Sequence, residues 1–185
     1  MSEHHFAHWP PGLPHHLTLP ETNLFTNAEI SARRYPNKPF LQFYGSALTY
    51  GNFHAEAEHL AGYLQSALGV RAGDRVLLYL QNSPQWVLGY YAILRANAVV
   101  VPVNPMNRSE ELAHYVADSG ARVAVAAQDL LPELQAHLKP DEHDAPAGTH
   151  HGQGVGDGRR GTHAVEHHIG TAGEPLHVTV ADRHA

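Results

Sequence analysis

The spacing of apolar residues changes period several times between residues 40 and 138, and each change marks an element. Phe40 to Tyr44 and Ala47 to Tyr50, on either side of Gly45-Ser46, read as two short strands around a tight turn. Thr49 then caps a helix whose apolar positions Phe53, Ala57, Leu60, Ala61 and Leu64 fall on one face of a 3.6-residue period. Gly69 stands where a left-handed C-terminal cap is wanted. Val76 to Leu80 is an unbroken apolar run behind Gly73-Asp74, the mark of a strand buried on both faces.

Ser83-Pro84 supplies an N-cap and a proline for the first helical position, and Val87, Tyr90, Tyr91 and Leu94 follow as the predicted buried stripe, widened by Trp86 and Ile93. Ala98 to Val103 is the next apolar strand, ended by Pro102 and the Asn104-Pro105 turn. Ser109 is expected to cap a helix with Glu110 and Glu111 in its first turn, Leu112, Tyr115 and Val116 on its inner face, and Gly120 at its end. Val123 to Ala127 is a third buried strand, and Asp129 opens a last helix to about His137. Strands alternating with helices over short connections imply parallel pairing through right-handed crossovers. The predicted fold class is α/β, a partial doubly wound and mainly parallel sheet. Three strands leave an open edge at Val123 to Ala127, through which self-association is expected.

The two ends differ from this middle. Residues 1–23 carry Pro10, Pro11, Pro14 and Pro20 with the pairs His4/His5 and His15/His16, and read as an extended arm. Composition breaks near Pro140: residues 141–185 hold 8 His, 8 Gly and 12 apolar residues among 45, with no Phe, Tyr, Trp, Met, Ser, Asn or Lys. So little apolar surface does not offset the entropy of ordering, so a disordered tail is expected. The missing Phe, Tyr, Asn and Lys use AT-rich codons, which is what a GC-rich gene read in a shifted frame produces; a natural low-complexity His/Gly tail is the alternative. The expected domains are therefore an arm over 1–23, a partial domain over 24–140 and a tail over 141–185.

Composition narrows the function. With 43% apolar and 16% charged residues the 185-residue chain is that of a globular protein, and the absence of Cys removes disulfides, thiolate-ligated metal and a Cys nucleophile while agreeing with a reducing cytoplasm. A net charge of −6 without a basic run argues against nucleic-acid binding. Trp86 to Leu94, the most apolar stretch, is far short of the ~20 residues of a membrane span, and Met1 to Pro14 lacks the basic and apolar regions of a secretory signal, so a cytoplasmic location is expected.

Four ordered blocks carry a resemblance. Leu48-Thr49-Tyr50 with its helix, Gly73-Asp74-Arg75-Val76, Leu80-Gln81-Asn82-Ser83-Pro84, and Ile93 through Pro105 resemble in order and spacing the opening of AMP-forming acyl-CoA synthetases. Glu110-Glu111-Leu112 and Asp118-Ser119-Gly120-Ala121 continue the match, and Trp9-Pro10-Pro11-Gly12-Leu13-Pro14 is similar to the leader of long-chain fatty acid–CoA ligases. The resemblance covers about residues 9–138. It implies the N-terminal part of an adenylate-forming ligase, with a fatty acid, ATP, CoA and Mg²⁺ as the family's small molecules. A ligase for an aromatic or shorter acid, and a non-catalytic module that docks onto a complete partner through its sheet edge, are the alternatives. The resemblance also implies a phosphate-cradling loop ending in Lys, yet Lys38 and Lys139 are the only lysines, neither follows such a loop, and G-x-x-x-x-G-K-[ST] is absent. No catalytic, cofactor-binding or metal-binding residue is therefore assigned, and tight binding of ATP, CoA or Mg²⁺ by this chain is not expected. Asn82, Pro102, Asn104 and Pro105, which match family blocks, are read as turn and packing residues.

Other motif matches fail on context. Gly156 to Gly161 satisfies G-x-G-x-x-G with no apolar strand before it. His163-Ala164-Val165-Glu166-His167 satisfies H-x-x-E-H, which needs a stable helix and a third ligand; the His pairs there suit only weak, adventitious metal binding. His54, His59 and His114 are expected to be solvated, and Ser46, Ser66 and Ser109 lack a nucleophile elbow.

Overall fold

A computed structural model describes residues 4–137, 165–169 and 176–182. After a short 3-10 turn at His4–His8 come α1 (Leu24–Arg34), the strands β1 (Pro39–Phe43) and β2 (Ser46–Thr49), α2 (Tyr50–Ser66), β3 (Arg75–Tyr79), α3 (Pro84–Arg95), β4 (Val99–Pro102), α4 (Ser109–Ser119), β5 (Val123–Ala127), α5 (Leu131–Gln135), β6 (Val165–Ile169) and β7 (Leu176–Asp182). The 3-10 turn corrects the reading of the arm as wholly extended. Phe6 folds back to stack on His15, with ring centroids 4.2 Å apart.

The main sheet has the order β4-β3-β5-β7-β6. β3 pairs in parallel with β4 on one side and β5 on the other, as the alternation of strands and helices requires. Alternate residues of the buried strands face opposite layers. Val76, Leu78, Val123 and Val125 join the α1–α3 side, while Leu77, Tyr79, Ala124 and Ala126 join α4 and α5. β1 and β2 form a separate hairpin, and its Phe40 packs on Tyr50 and Phe53 of α2. The turn falls at Tyr44-Gly45, one residue earlier than expected, with φ of 44° and 83°.

The local caps follow the sequence with one exception. Thr49 Oγ1 accepts the Asn52 N–H at 3.2 Å, Ser83 Oγ accepts the Trp86 N–H at 3.2 Å, and Gly120 is left-handed at φ 63°. Ser109 is not the cap of α4: it is the first helical residue, and the Glu111 carboxylate accepts the Arg108 N–H at 2.9 Å instead. The buried stripe of α3 is also displaced. Gln85, Leu88, Gly89, Ala92 and Ile93 face inward, whereas Val87, Tyr90, Tyr91 and Leu94 are half-buried. Small residues let α3 lie close on the sheet, and the aromatics fill the flanks.

The sheet edge at β5 is not open. Leu176–Asp182 pairs antiparallel with it, from Val123↔Asp182 to Ala127↔Val178, and Val165–Ile169 pairs with β7 in turn. This differs from the expectation of a tail without structure. A β-branched run, Val178-Thr179-Val180, meets a strand whose outer N–H and C=O groups need partners. The rest of the tail lies outside the described residues, as does the Gly156 to Gly161 string.

Candidate functional site

The three parallel strands run the same way, so the loops that follow them gather at one end, and an open α/β sheet offers its crevice there. A cleft of about 440 Å³ occupies this place, lined by Leu80, Gln81, Asn82 and Trp86 after β3 and by Pro102, Val103, Asn104, Pro105 and Met106 after β4. Asn82, Pro102, Asn104 and Pro105, read in the sequence as turn and packing residues, thus meet in one wall.

Hydrogen bonds hold this rim. Asn104 Oδ1 accepts the Met106 N–H at 2.9 Å, and its carbonyl accepts the Asn107 N–H at 3.0 Å. Tyr79, fully buried at the end of β3, donates its hydroxyl to the Asn107 carbonyl at 2.8 Å. Asn107 Nδ2 donates to the Tyr115 hydroxyl at 2.8 Å, so loop 104–107 is tied to both β3 and α4. Burial pushes the Tyr79 hydroxyl pKa upward, with Arg108 opposing that shift. Tyr79 therefore stays a proton donor at neutral pH. On the other side of the cleft Trp86 stacks on Tyr90, with centroids 5.4 Å apart.

The cleft presents amides, prolines and one indole, and neither a lysine nor an arginine. That donor set suits an apolar or neutral group and does not fit the charge of a triphosphate. Among the residues whose side chains are described, no group of three or more His, Asp or Glu could hold a metal ion.

The remaining candidates are dispersed. His59 and His114 are exposed as expected. His54 is not solvated: it is half-buried against Phe25, at 5.5 Å between centroids, with Nδ1 3.8 Å from Glu58 and Nε2 shielded. Its burial depends on Phe25 of α1, an element the apolar spacing after residue 40 does not contain. Lys38 lies over the Tyr35 ring at 5.6 Å, Ser66 donates to the Gly62 carbonyl at 2.6 Å, and Ser46 begins β2. Ser109 Oγ and His137 Nε2 share a hydrogen bond of 2.8 Å that joins α4 to the chain after α5. Among the described residues no carboxylate is bonded to that imidazole, and the pair is not a triad. Val165–His167 lie on a strand, which removes the helix that H-x-x-E-H requires; His163 is outside the described residues.

This α/β fold is shared with N-terminal domains of adenylate-forming enzymes. The N-terminal domain of FACL13 from Mycobacterium tuberculosis is similar at TM-score 0.56 and 26% identity, over 62% of this chain and 30% of that one. The anthranilate CoA ligase AuaEII is similar at TM-score 0.60 and 28% identity, over 64% of this chain and 23% of that one. The chain belongs to the AMP-binding enzyme family, whose profile matches residues 28–176. A long-chain-fatty-acid–CoA ligase of Bacillus subtilis (strain 168) is 37% identical over 127 residues, which is 69% of this chain and 22% of that protein. The chain thus spans about a fifth of the length of the curated relatives it matches. The family match runs past Pro140, beyond the blocks that carry the resemblance.

Proposed function

We propose that this chain is the N-terminal part of an ATP-dependent, AMP-forming ligase that joins a long-chain fatty acid to CoA in the cytoplasm. The observation that carries the reading is the 37% identity, over 127 residues, to a ligase named for long-chain fatty acids. The apolar and amide lining of the crevice supports it, since such a wall accommodates an acyl chain or a neutral linker rather than phosphate. Among the described residues no helix is long and apolar enough to cross a membrane.

The chain as it stands has no ligase activity of its own in this reading. Stabilising the charge that develops on an attacked phosphate needs positioned cations and N–H donors, and no Lys-bearing phosphate loop occurs in the 185 residues. Self-association belongs to the same proposal, now through β4, one of the two end strands of the main sheet.

The test begins with the gene. Read in the two other frames beyond codon 140, one should encode a Ser/Thr/Gly-rich loop ending in Lys. The ligase so restored should form acyl-CoA from a long-chain fatty acid in preference to anthranilate or benzoate. Unrelated sequence in both frames removes the frame-shift; a preference for the aromatic acids removes the long-chain assignment. Acyl-dependent exchange of pyrophosphate into ATP by the purified 185-residue chain would refute its inactivity.

A further inference from the structure

The register of β6 and β7 sorts their residues by chemistry. Val165 stands opposite Val180, His167 opposite Val178 and Ile169 opposite Leu176, so one face of the pair is apolar but for His167. This face continues that of Val125 and Ala127, which stand opposite Val180 and Val178 in turn. The alternate positions make the other face. There His168 is directly opposite His177, and Glu166, two residues along the same strand, is opposite Thr179.

The same register takes the H-x-x-E-H string apart and assembles a different set from it. Glu166 and His167 are neighbours on a strand and fall on opposite faces. Glu166, His168 and His177 share one. Directly opposite positions have Cβ atoms about 4.5–5.5 Å apart, residues i and i+2 of a strand are roughly 7 Å apart, and a diagonal pair such as Glu166 and His177 is separated by about 7–8 Å. That triangle is of a size for imidazole and carboxylate arms to converge on one ion with bonds of about 2.0–2.2 Å. Two imidazoles and a carboxylate are a zinc donor set that leaves a fourth position to water, whereas Mg²⁺ and Ca²⁺ prefer oxygen ligands throughout. Neither strand contains a Lys or Arg, so no cation stands in register with Glu166 to neutralise it. No spacing along the sequence contains this set, since His168 and His177 meet only through the pairing of the two strands.

We propose that Glu166, His168 and His177 form a zinc-binding site that clasps β6 to β7. The site belongs to the chain as it stands and does not rest on the ligase reading above.

Calorimetric titration of the full chain with Zn²⁺, after chelator treatment and in a non-coordinating buffer, tests it. The chain has 17 His, so weak sites accompany any specific one, and the proposal requires one site per chain that is tighter than the rest. His168→Gln and His177→Gln should each weaken that site by at least about tenfold, because losing a ligand costs more than losing a residue that only supports one. His167→Gln, one position away on the opposite face, should bind as wild type. Zinc should also raise the melting temperature of wild type and of His167→Gln, and raise it less in the other two variants, since an ion held by the paired strands stabilises the folded chain. Circular dichroism of the metal-free variants establishes that they fold, and Mg²⁺ at the same concentration should produce neither effect. No site tighter than the rest, its survival in His168→Gln/His177→Gln, or an equal loss in His167→Gln and His168→Gln would each overturn the proposal and leave adventitious binding by scattered imidazoles. Because the readout is metal binding rather than turnover, a missing ligase activity does not affect it.

Discussion

Gly89 of α3 lies so close to Leu78 of β3 that a Cβ on the glycine would stand 2.9 Å from Leu78 Cδ1, and 3.5 Å from Val125 Cγ1. Leu78 and Val125 are fully buried and have no room to retreat. Gly89→Val should therefore destabilise the chain by about 3 kcal/mol, the cost of overpacking a filled core. Urea denaturation measures it. Stability equal to wild type would mean that α3 does not lie on the sheet at this distance.

Tyr79 ties the crevice rim to the core. Tyr79→Phe leaves the Asn107 carbonyl without its donor and should cost about 1–2 kcal/mol. The pH dependence follows from the upward shift caused by burial. The hydroxyl's contribution is whole below the unfolded value of about 10 and is lost as pH rises through the higher folded value. An alkaline fall in stability should thus weaken in Tyr79→Phe, which stability measurements from pH 8 to 11 would detect.

Glu56 is raised by burial as well, with His59 lowering it in part, and its Oε2 is shielded without a partner among the described residues. The unfolded chain gives up this proton first, so stability falls as pH rises from the ordinary carboxyl value of 4.5 through the higher folded value. Glu56→Gln should raise the melting temperature at pH 7 and leave it unchanged near pH 3.5. A variant less stable at pH 7 would show that the carboxylate is favourably held.

Deleting residues 138–185 removes the strand on the outer side of β5. The five paired positions from Val123 to Ala127 lose their ladder, at about 3 kcal/mol in total, and their edge becomes available to other chains. Lower urea midpoint together with a larger species in size-exclusion chromatography is the expected result. An equally stable monomer would mean that β7 adds nothing to the sheet.

The parallel layer was legible because its signals are local: unbroken apolar runs for β3, β4 and β5, and Thr49, Ser83 and Gly120 at helix ends. α1 was missed although Asn23 caps it, Oδ1 accepting the Thr26 N–H at 2.9 Å, and Phe25, Ala28 and Ala32 mark its face. Its signal follows directly on a proline-rich arm. The face of α3 differs from the predicted one because hydrophobicity favours Tyr90 and Tyr91, whereas close packing selects Gly89 and Ala92. Composition does not mark β7, because it weighs a whole segment and holds nothing of the partner that three β-branched residues meet in β5. Asn82 and Asn104 stand far apart in sequence; the parallel order of β3 and β4 brings them to one wall, and no periodicity contains that order.

The antiparallel seam between β5 and β7 also bears on how the chain reaches its fold. β3 joins β4 through a single helix, and β6 meets β7 as neighbouring segments, so each can close early. Val123 finding Asp182 closes the longest loop of any described strand pair, a step whose entropy cost precedes its reward. Refolding should accordingly be biphasic, a fast phase burying Trp86 beside the parallel layer and a slower one in which the sheet acquires its last two strands.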